Sequence, residues 1–317
     1  MMHKNLLYII FLFISITHHH TIPKESSLLG TGKHFVLFVA GRNNVKWYKK
    51  NLDSIFEQTY TNYDLIYVDD ASTDCTGDLV KQYFLDNQFY LASSYKDECG
   101  NLIEKYAEKN DNNRKIILII NEYRKYKMAN QYGSIHTYCK NSDIVVEIDA
   151  DDWFVHDRVL SYLNKIYANP NIWLTYGLYI EYPTGKIGCD RSGRVPQKII
   201  AHNKFRKYKW RYTGLYTYYA GLFKLVSIED CLYKGSDPEF SYDFTPISSD
   251  NVIYPMLEMC SNGHFKYIND ILYVLNRDNM GPSTYPHRMK KIREERQKMI
   301  RNEPPYAPLK RPLWSIN

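Results

Sequence analysis

Asp149-Ala150-Asp151-Asp152 follows directly on the run Ile144–Ile148, which is apolar apart from Glu147. Three carboxylates at the mouth of a buried strand repel one another unless a positive charge joins them. Hard divalent cations such as Mg2+ and Mn2+ take oxygen ligands of this kind and keep further positions for a substrate's phosphate oxygens. An Asp-rich turn capping the next helix would use the same residues. The rest of the chain has to separate these two readings.

The elements that would carry this cluster alternate in type. His34–Ala40 is a continuous apolar run of buried-strand length. Asn44–Gln58 places Val45, Tyr48, Leu52, Ile55 and Phe56 at amphipathic-helix spacing. Asp64–Val68 is a second strand, ending in Asp69-Asp70, and Thr76–Leu85 a helix. Residues 86–113 are polar and read as a further helix with loops, Lys115–Asn121 as a strand, Met128–Cys139 as a helix and Asp143–Ile148 as a strand. Such alternation implies an α/β fold, a mostly parallel sheet flanked by helices with ligands at the carboxyl ends of its strands. Asn43-Asn44, Asp69-Asp70, Asn121 and Asp149–Asp152 all follow strands and so converge on one rim.

Downstream the alternation loosens. A helix is expected at Val159–Ala168, strands at Ile172–Tyr176 and Ile271–Leu275, and a helix at Asp250–Cys260. The stretch 204–224 mixes Arg206 and Arg211 with Phe205, Tyr208, Trp210, Tyr212, Tyr216 and Tyr218. It could hold an acceptor sugar by stacking and a diphosphate by its arginines, or it could be packed core with snorkelling bases. His287–Arg301 is basic, with Met289, Ile292, Met299 and Ile300 on roughly one helical face, and reads as a solvated helix rather than a membrane-surface one.

Apolar content of 44% describes a globular protein and not a disordered one. A net charge of +6, with 41 basic residues interspersed among 35 acidic ones, excludes a nucleic-acid footprint but suits an anionic nucleotide. Six cysteines without a Cys-x-x-Cys pair exclude zinc and thioredoxin-like sites. At the N-terminus, Lys4 precedes an apolar stretch of 11 residues, Leu6–Ile16. That is the length of a signal-peptide core and shorter than the roughly 20 residues of a spanning helix. The expectation is a membrane-associated or exported protein, with membrane contact through this segment.

Residues 58–74, Gln-Thr-Tyr-Thr-Asn-Tyr-Asp-Leu-Ile-Tyr-Val-Asp-Asp-Ala-Ser-Thr-Asp, resemble the opening signature of family 2 glycosyltransferases. Ile148-Asp149-Ala150-Asp151-Asp152 is similar to that family's metal-binding Asp-x-Asp element. The resemblance is clear over about residues 34–160 and weaker to about 280. It implies a GT-A type single domain that moves a sugar, with inversion, from a nucleotide-diphosphate sugar, a UDP-sugar, to an acceptor hydroxyl. The organisation expected is a leader and linker at 1–32, a catalytic domain at 33–285 and a basic tail at 286–317. Within the domain the nucleotide-sugar half would be 33–155 and the acceptor half 156–285.

By the same resemblance Asp70, with Asp69 beside it, recognises the base. Asp149 lies near ribose and metal, and Asp151 ligates a Mn2+ or Mg2+ ion that bridges the diphosphate. Asp152 is either a supporting carboxylate or a helix cap. Ala40 and Arg42, where the first strand ends, and Asn121 complete the donor contacts. The family's strand usually ends Pro-Thr/Ala-Tyr-Asn; here it reads Ala40-Gly41-Arg42-Asn43, so Arg42 stands in place of a ring and could stack on a base. The family's Ala-Arg-Asn element has only Lys127-Met128-Ala129-Asn130 as its nearest counterpart, with Lys127 read as a helix start rather than a phosphate contact. The family's base opens a helix roughly 80–100 residues past the metal motif. Asp250, 99 positions after Asp151, is the candidate, with Asp243 and Glu229 behind it. The acceptor is open among carbohydrate, lipid-linked and protein hydroxyls. Two alternatives remain: a sugar-phosphate nucleotidyltransferase, and a non-catalytic nucleotide- or carbohydrate-binding scaffold.

Overall fold

The computed structural model describes residues 32–109, 114–235, 243–246, 249–278 and 287–312. The apolar leader lies outside them, and no described helix is long and apolar enough to cross a membrane. The elements in chain order are β1 (Phe35–Gly41), α1 (Tyr48–Phe56), β2 (Tyr63–Asp69), α2 (Thr76–Asp86), β3 (Phe89–Lys96), β4 (Leu102–Glu108), β5 (Lys115–Ile120), α3 (Tyr126–Tyr138), β6 (Ile144–Asp149) and β7 (Trp153–Phe154). They continue with α4 (Val159–Tyr167), β8 (Leu174–Tyr182), α5 (Gln197–Ala201), β9 (Tyr216–Tyr219), α6 (Ala220–Phe223), α7 (Ile228–Cys231), α8 (Ser249–Met259), β10 (Phe265–Asn276) and α9 (His287–Ile300).

All ten strands form one sheet, ordered β3-β4-β5-β2-β1-β6-β9-β8-β10-β7. The central block β5-β2-β1-β6 is parallel. Parallel strands need helical crossovers on their faces, which bury both sides. Phe35–Ala40 of β1 are accordingly all buried, an unbroken apolar run instead of an alternating one. Each fully buried large side chain there contributes roughly 1.5–3 kcal/mol.

Residues 86–113 depart from expectation. Those described, 86–109, form no helix beyond the end of α2 but an antiparallel hairpin, β3–β4, that extends the sheet past β5. The pattern hid it because β3 is an edge strand exposed at every position but Phe89, so no core face imposed a period on it. In β4 the inward Glu104 is buried, held by Lys81 at 2.8 Å and the Tyr106 hydroxyl at 2.6 Å.

The basic stretch at 287–300 is also not the solvated helix expected. In α9 Ile292 and Ile300 are buried, and so is Arg296, whose guanidinium donates to Asn251 Oδ1, to the Asp230 carbonyl and to Glu303. Met299 is exposed. The helix thus packs on the start of α8 through a buried arginine.

Candidate active site

Register brings the predicted rim together. Across β1, Gly41 pairs with Asp69 of β2 and Ala40 with Asp149 of β6, while Asp69 pairs with Ile120 of β5. Parallel strands end on the same side, so Ala40, Arg42, Asp69, Asp70, Asn121 and Asp149 share one edge although they span more than a hundred positions. Gly41 is required there by close approach: a Cβ would stand 2.5 Å from the Ala150 Cβ and 2.1 Å from Asn44 Nδ2.

The loops after β1 and β2 are stitched to each other. Arg42 Nε donates to the Ala71 carbonyl (3.1 Å), the Asn43 amide to Ser72 Oγ (2.8 Å), the Asn44 amide to Thr76 Oγ1 (2.9 Å) and the Val45 amide to Asp74 Oδ2 (3.1 Å). Asn43, Ala71 and Cys75 are held at φ of 58°, 56° and 65°. Such left-handed backbone costs about 1–3 kcal/mol per residue and persists where neighbours over-determine it. Asp69 accepts from the Ser72 amide and hydroxyl, and burial pushes its pKa up. Burial would also raise Asp74, but donors from Thr76 and Val45 outweigh it and keep the carboxyl below its ordinary value.

Asp70 is buried and accepts three bonds: Asn121 Nδ2 (2.8 Å), the Lys125 amide (2.8 Å) and the Tyr126 amide (2.9 Å). It thus anchors the N-terminus of α3, where an anion is favoured by the helix dipole. Asn121 also reaches Asn130 Oδ1 (2.8 Å), and Arg124 approaches Asp70 at 4.0 Å. With half-buried Arg42 bonded to the Ala71 carbonyl next to Asp70, these residues make a polar wall flanked by guanidinium groups.

The Asp149–Asp152 turn is braced from below. Asn51 of α1, fully buried, donates to the carbonyls of Asp149 (3.2 Å) and Asp152 (2.7 Å). Asp152 is not a helix cap, since β7 follows it and not a helix. Its carboxyl accepts from the Asn276 amide (2.7 Å) and the Tyr273 hydroxyl, tying the turn to β10. Burial, then Asp151 and Asp149, push its pKa well up. Behind the turn Trp153 stacks on Trp47, with ring centroids 5.9 Å apart. Lys127 does more than start α3. Its Nζ lies 2.5 Å from Asp149 Oδ1 and 2.8 Å from Glu147 Oε1. Burial lowers a lysine's pKa, but here Asp149 and Glu147 raise it above the ordinary value.

The donor set suits a hard divalent cation. Asp149 and Asp151 are half-buried carboxylates on one turn, close enough that both act on Asp152. Among the described residues no group of three His, Cys, Asp or Glu side chains forms a closed cage. One or two carboxylates with the remaining positions open is the arrangement Mg2+ uses with substrate phosphates.

By topology the start of α8 lies toward the side of the sheet that carries this rim. β10 runs parallel to β8, which is antiparallel to β9, itself antiparallel to β6, so β10 and β6 end on the same side. Residues 260–264 turn the chain from α8 back into β10, so the helix begins on the side where β10 ends. Asp250 is the second residue of α8; its side chain lies outside the described residues. Glu229 is exposed in the first turn of α7, and Asp243 is exposed with the Phe244 amide on its carboxylate.

Arg206 and Arg211 are both engaged within the fold. Arg206 is buried and forks onto Glu258 (2.7 and 2.9 Å), and Arg211 donates to the carbonyls of Cys189 and Ser192. Phe205, Tyr212, Tyr216 and Tyr218 are core. For Phe205, Arg206, Tyr212, Tyr216 and Tyr218 the packing favours the core reading of this stretch.

The sequence pattern described as Glycosyl transferase family 2 matches residues 38–93, from the middle of β1 into β3. Over these residues the chain is similar to family 2 of the glycosyltransferases. No curated protein matches the chain. Among solved structures, Staphylococcus aureus TarS 1-349 in complex with UDP-GlcNAc aligns with TM-score 0.53 at 14% identity, covering 83% of this chain and 65% of that one. A mannosyltransferase from Pyrobaculum calidifontis in complex with GDP-Man and Mn2+ aligns with TM-score 0.50 at 15% identity, covering 86% of this chain and 66% of that one. The chain therefore spans slightly under two thirds of each, and what these likenesses establish is the GT-A fold. Sequence reasoning missed Asn51, Tyr273 and Asn276, which hydrogen-bond the turn from elements distant in the chain, and Glu147, which holds Lys127 beside Asp149. Only Glu147, a charge inside an apolar strand, carried a signal.

Proposed function

We propose that this protein is a metal-dependent, inverting glycosyltransferase that moves a sugar from a UDP-sugar to an acceptor hydroxyl. The observation that carries this reading is the register across β1, which sets the Asp69-Asp70 loop and the Asp149–Asp152 turn on either side of one strand end. Base recognition falls to the wall of Asp70, Asn121 and Arg42, and ribose contact to Asp149. Asp149 and Asp151 would hold the Mn2+ or Mg2+ ion. When bound, such an ion neutralises the charge developing on the departing diphosphate. Both solved relatives carry nucleotide-diphosphate sugars in their complexes, one with UDP and one with GDP, which supports the donor class; the uracil preference comes from the family signature.

Inverting transfer is a single displacement. The acceptor oxygen forms a bond to the anomeric carbon while the bond to the diphosphate oxygen breaks, and a carboxylate takes the hydroxyl proton. Asp250, opening α8 on the rim side, is the residue assigned to that proton. The membrane-associated or exported location expected from the leader, and an acceptor that is a carbohydrate, lipid-linked or protein hydroxyl, belong to the same proposal.

The test is thermal unfolding with UDP, GDP and ADP, each with and without Mn2+, on the wild type and Asp151→Ala. Stabilisation by UDP that requires metal and disappears in Asp151→Ala supports the reading. Flat curves across the panel would favour a non-catalytic scaffold, and pyrophosphate release during turnover a nucleotidyltransferase.

A further inference from the structure

The ammonium of Lys127 is shared between two carboxylates with different surroundings. Glu147 and Asp149 are two positions apart on β6 and so lie on the same face. Glu147 is 4% exposed, and its other oxygen accepts from Gln131 Nε2 at 2.9 Å and from the Tyr218 hydroxyl at 3.3 Å. A carboxylate so placed needs a cation at all times. Asp149 stands at the edge, its side chain 42% exposed, with Lys127 on Oδ1 at 2.5 Å. The lysine itself keeps 27% of its side chain accessible, so it borders the rim instead of being sealed beneath it.

A divalent ion placed on Asp149 would therefore meet an ammonium already there. The two cations on that carboxylate repel each other, and the added negative charge of a nucleoside diphosphate offsets that repulsion. Glu147 keeps Lys127 beside the site in either state. We propose that Lys127 makes divalent-metal capture conditional on the nucleoside diphosphate, acting as a stand-in cation on Asp149 until the donor binds. This rests on the donor-site reading above and adds an order to it: the metal enters with the nucleotide and not before. Lys127 is thus a positioning residue, acting through Asp149.

The experiment measures Mn2+ affinity by calorimetry and by the electron-spin signal of unbound Mn2+, with and without UDP, and with GDP in parallel. The proteins are the wild type, Lys127→Arg, and the double variant Lys127→Met/Glu147→Gln, which removes both charges and so leaves no buried carboxylate unpaired. Thermal unfolding of each checks that it is folded. For the wild type, UDP should raise Mn2+ affinity by about 5- to 150-fold, and Mn2+ should raise UDP affinity by the same factor. Lys127→Arg should keep that coupling. The double variant should bind Mn2+ without nucleotide at least about fivefold tighter than the wild type, with the coupling reduced accordingly. Equal nucleotide-free Mn2+ affinity in the wild type and the double variant overturns the proposal while leaving the donor site intact. A wild type that binds Mn2+ no better with UDP or GDP, and gains no stability from either, overturns both.

Discussion

Replacing Asp152 tests whether the third carboxylate of the turn is structural. In Asp152→Ala, the Asn276 amide and the Tyr273 hydroxyl lose their acceptor in a buried setting. An unsatisfied buried donor costs about 1–3 kcal/mol, so the pair costs about 2–6 kcal/mol. In a domain of about 150–250 residues 1 kcal/mol moves Tm by about 2–4 °C, which puts the expected loss at about 4–24 °C. Asp152→Asn keeps an oxygen for the Asn276 amide and should lose only about 1 kcal/mol. The two variants also differ in pH dependence. Burial, reinforced by Asp151 and Asp149, raises the folded pKa of Asp152 above its ordinary 3.8, so the folded state holds the proton more tightly than the unfolded chain. The wild type's advantage from this group is complete below that ordinary value and is lost as pH rises from there through the raised folded pKa. Urea unfolding at a series of pH values should therefore show the stability difference between wild type and Asp152→Asn shrinking as pH rises. A difference that grows with pH would mean that the two donors hold Asp152 ionised, and the burial argument would be wrong.

Three further outcomes are expected. Asp250→Asn should leave UDP and Mn2+ binding unchanged in calorimetry and lower turnover by about 10²–10⁴-fold, as for a general base; unchanged turnover removes Asp250 from the chemistry. His34 lies before β1, at the opposite end of the sheet, where hydrogen bonds to Asp143 and then Asp64 raise its pKa from 6.5 to about 9. Its contribution to stability is therefore full below 6.5 and lost as pH rises through about 9, and denaturant midpoints of His34→Gln should lack that decline. Arg206→Met leaves Glu258 buried and unpaired and should cost about 3–5 kcal/mol, most of it recovered in Arg206→Met/Glu258→Leu. UDP affinity of the folded double variant should match the wild type, and a weakened affinity would return Arg206 to the donor site.

The carboxyl-end cluster was legible in the sequence because strand–loop boundaries are local: an apolar run stops, and the polar residues after it must sit at a sheet edge. Asp69-Asp70, Asn121 and Asp149–Asp152 were placed that way, and the parallel register across β1 followed from the alternation of strands and helices. The hairpin β3–β4 was not legible, because an exposed edge strand has no buried face to give it a period. Nor could composition tell a ligand arginine from a buried one. Arg206 and Arg296 look basic and solvated in the chain, yet each is enclosed by carboxylates and carbonyls from distant segments, and an ion pair made across the fold leaves no mark on the spacing of either partner. The same holds inside the site. The sequence determined that carboxylates gather where β2 and β6 end; only the tertiary structure decided that Asp152 ties the turn to β10, that Asp70 anchors α3, and that Lys127 lies on Asp149, since each partner comes from another element and is chosen by proximity in space.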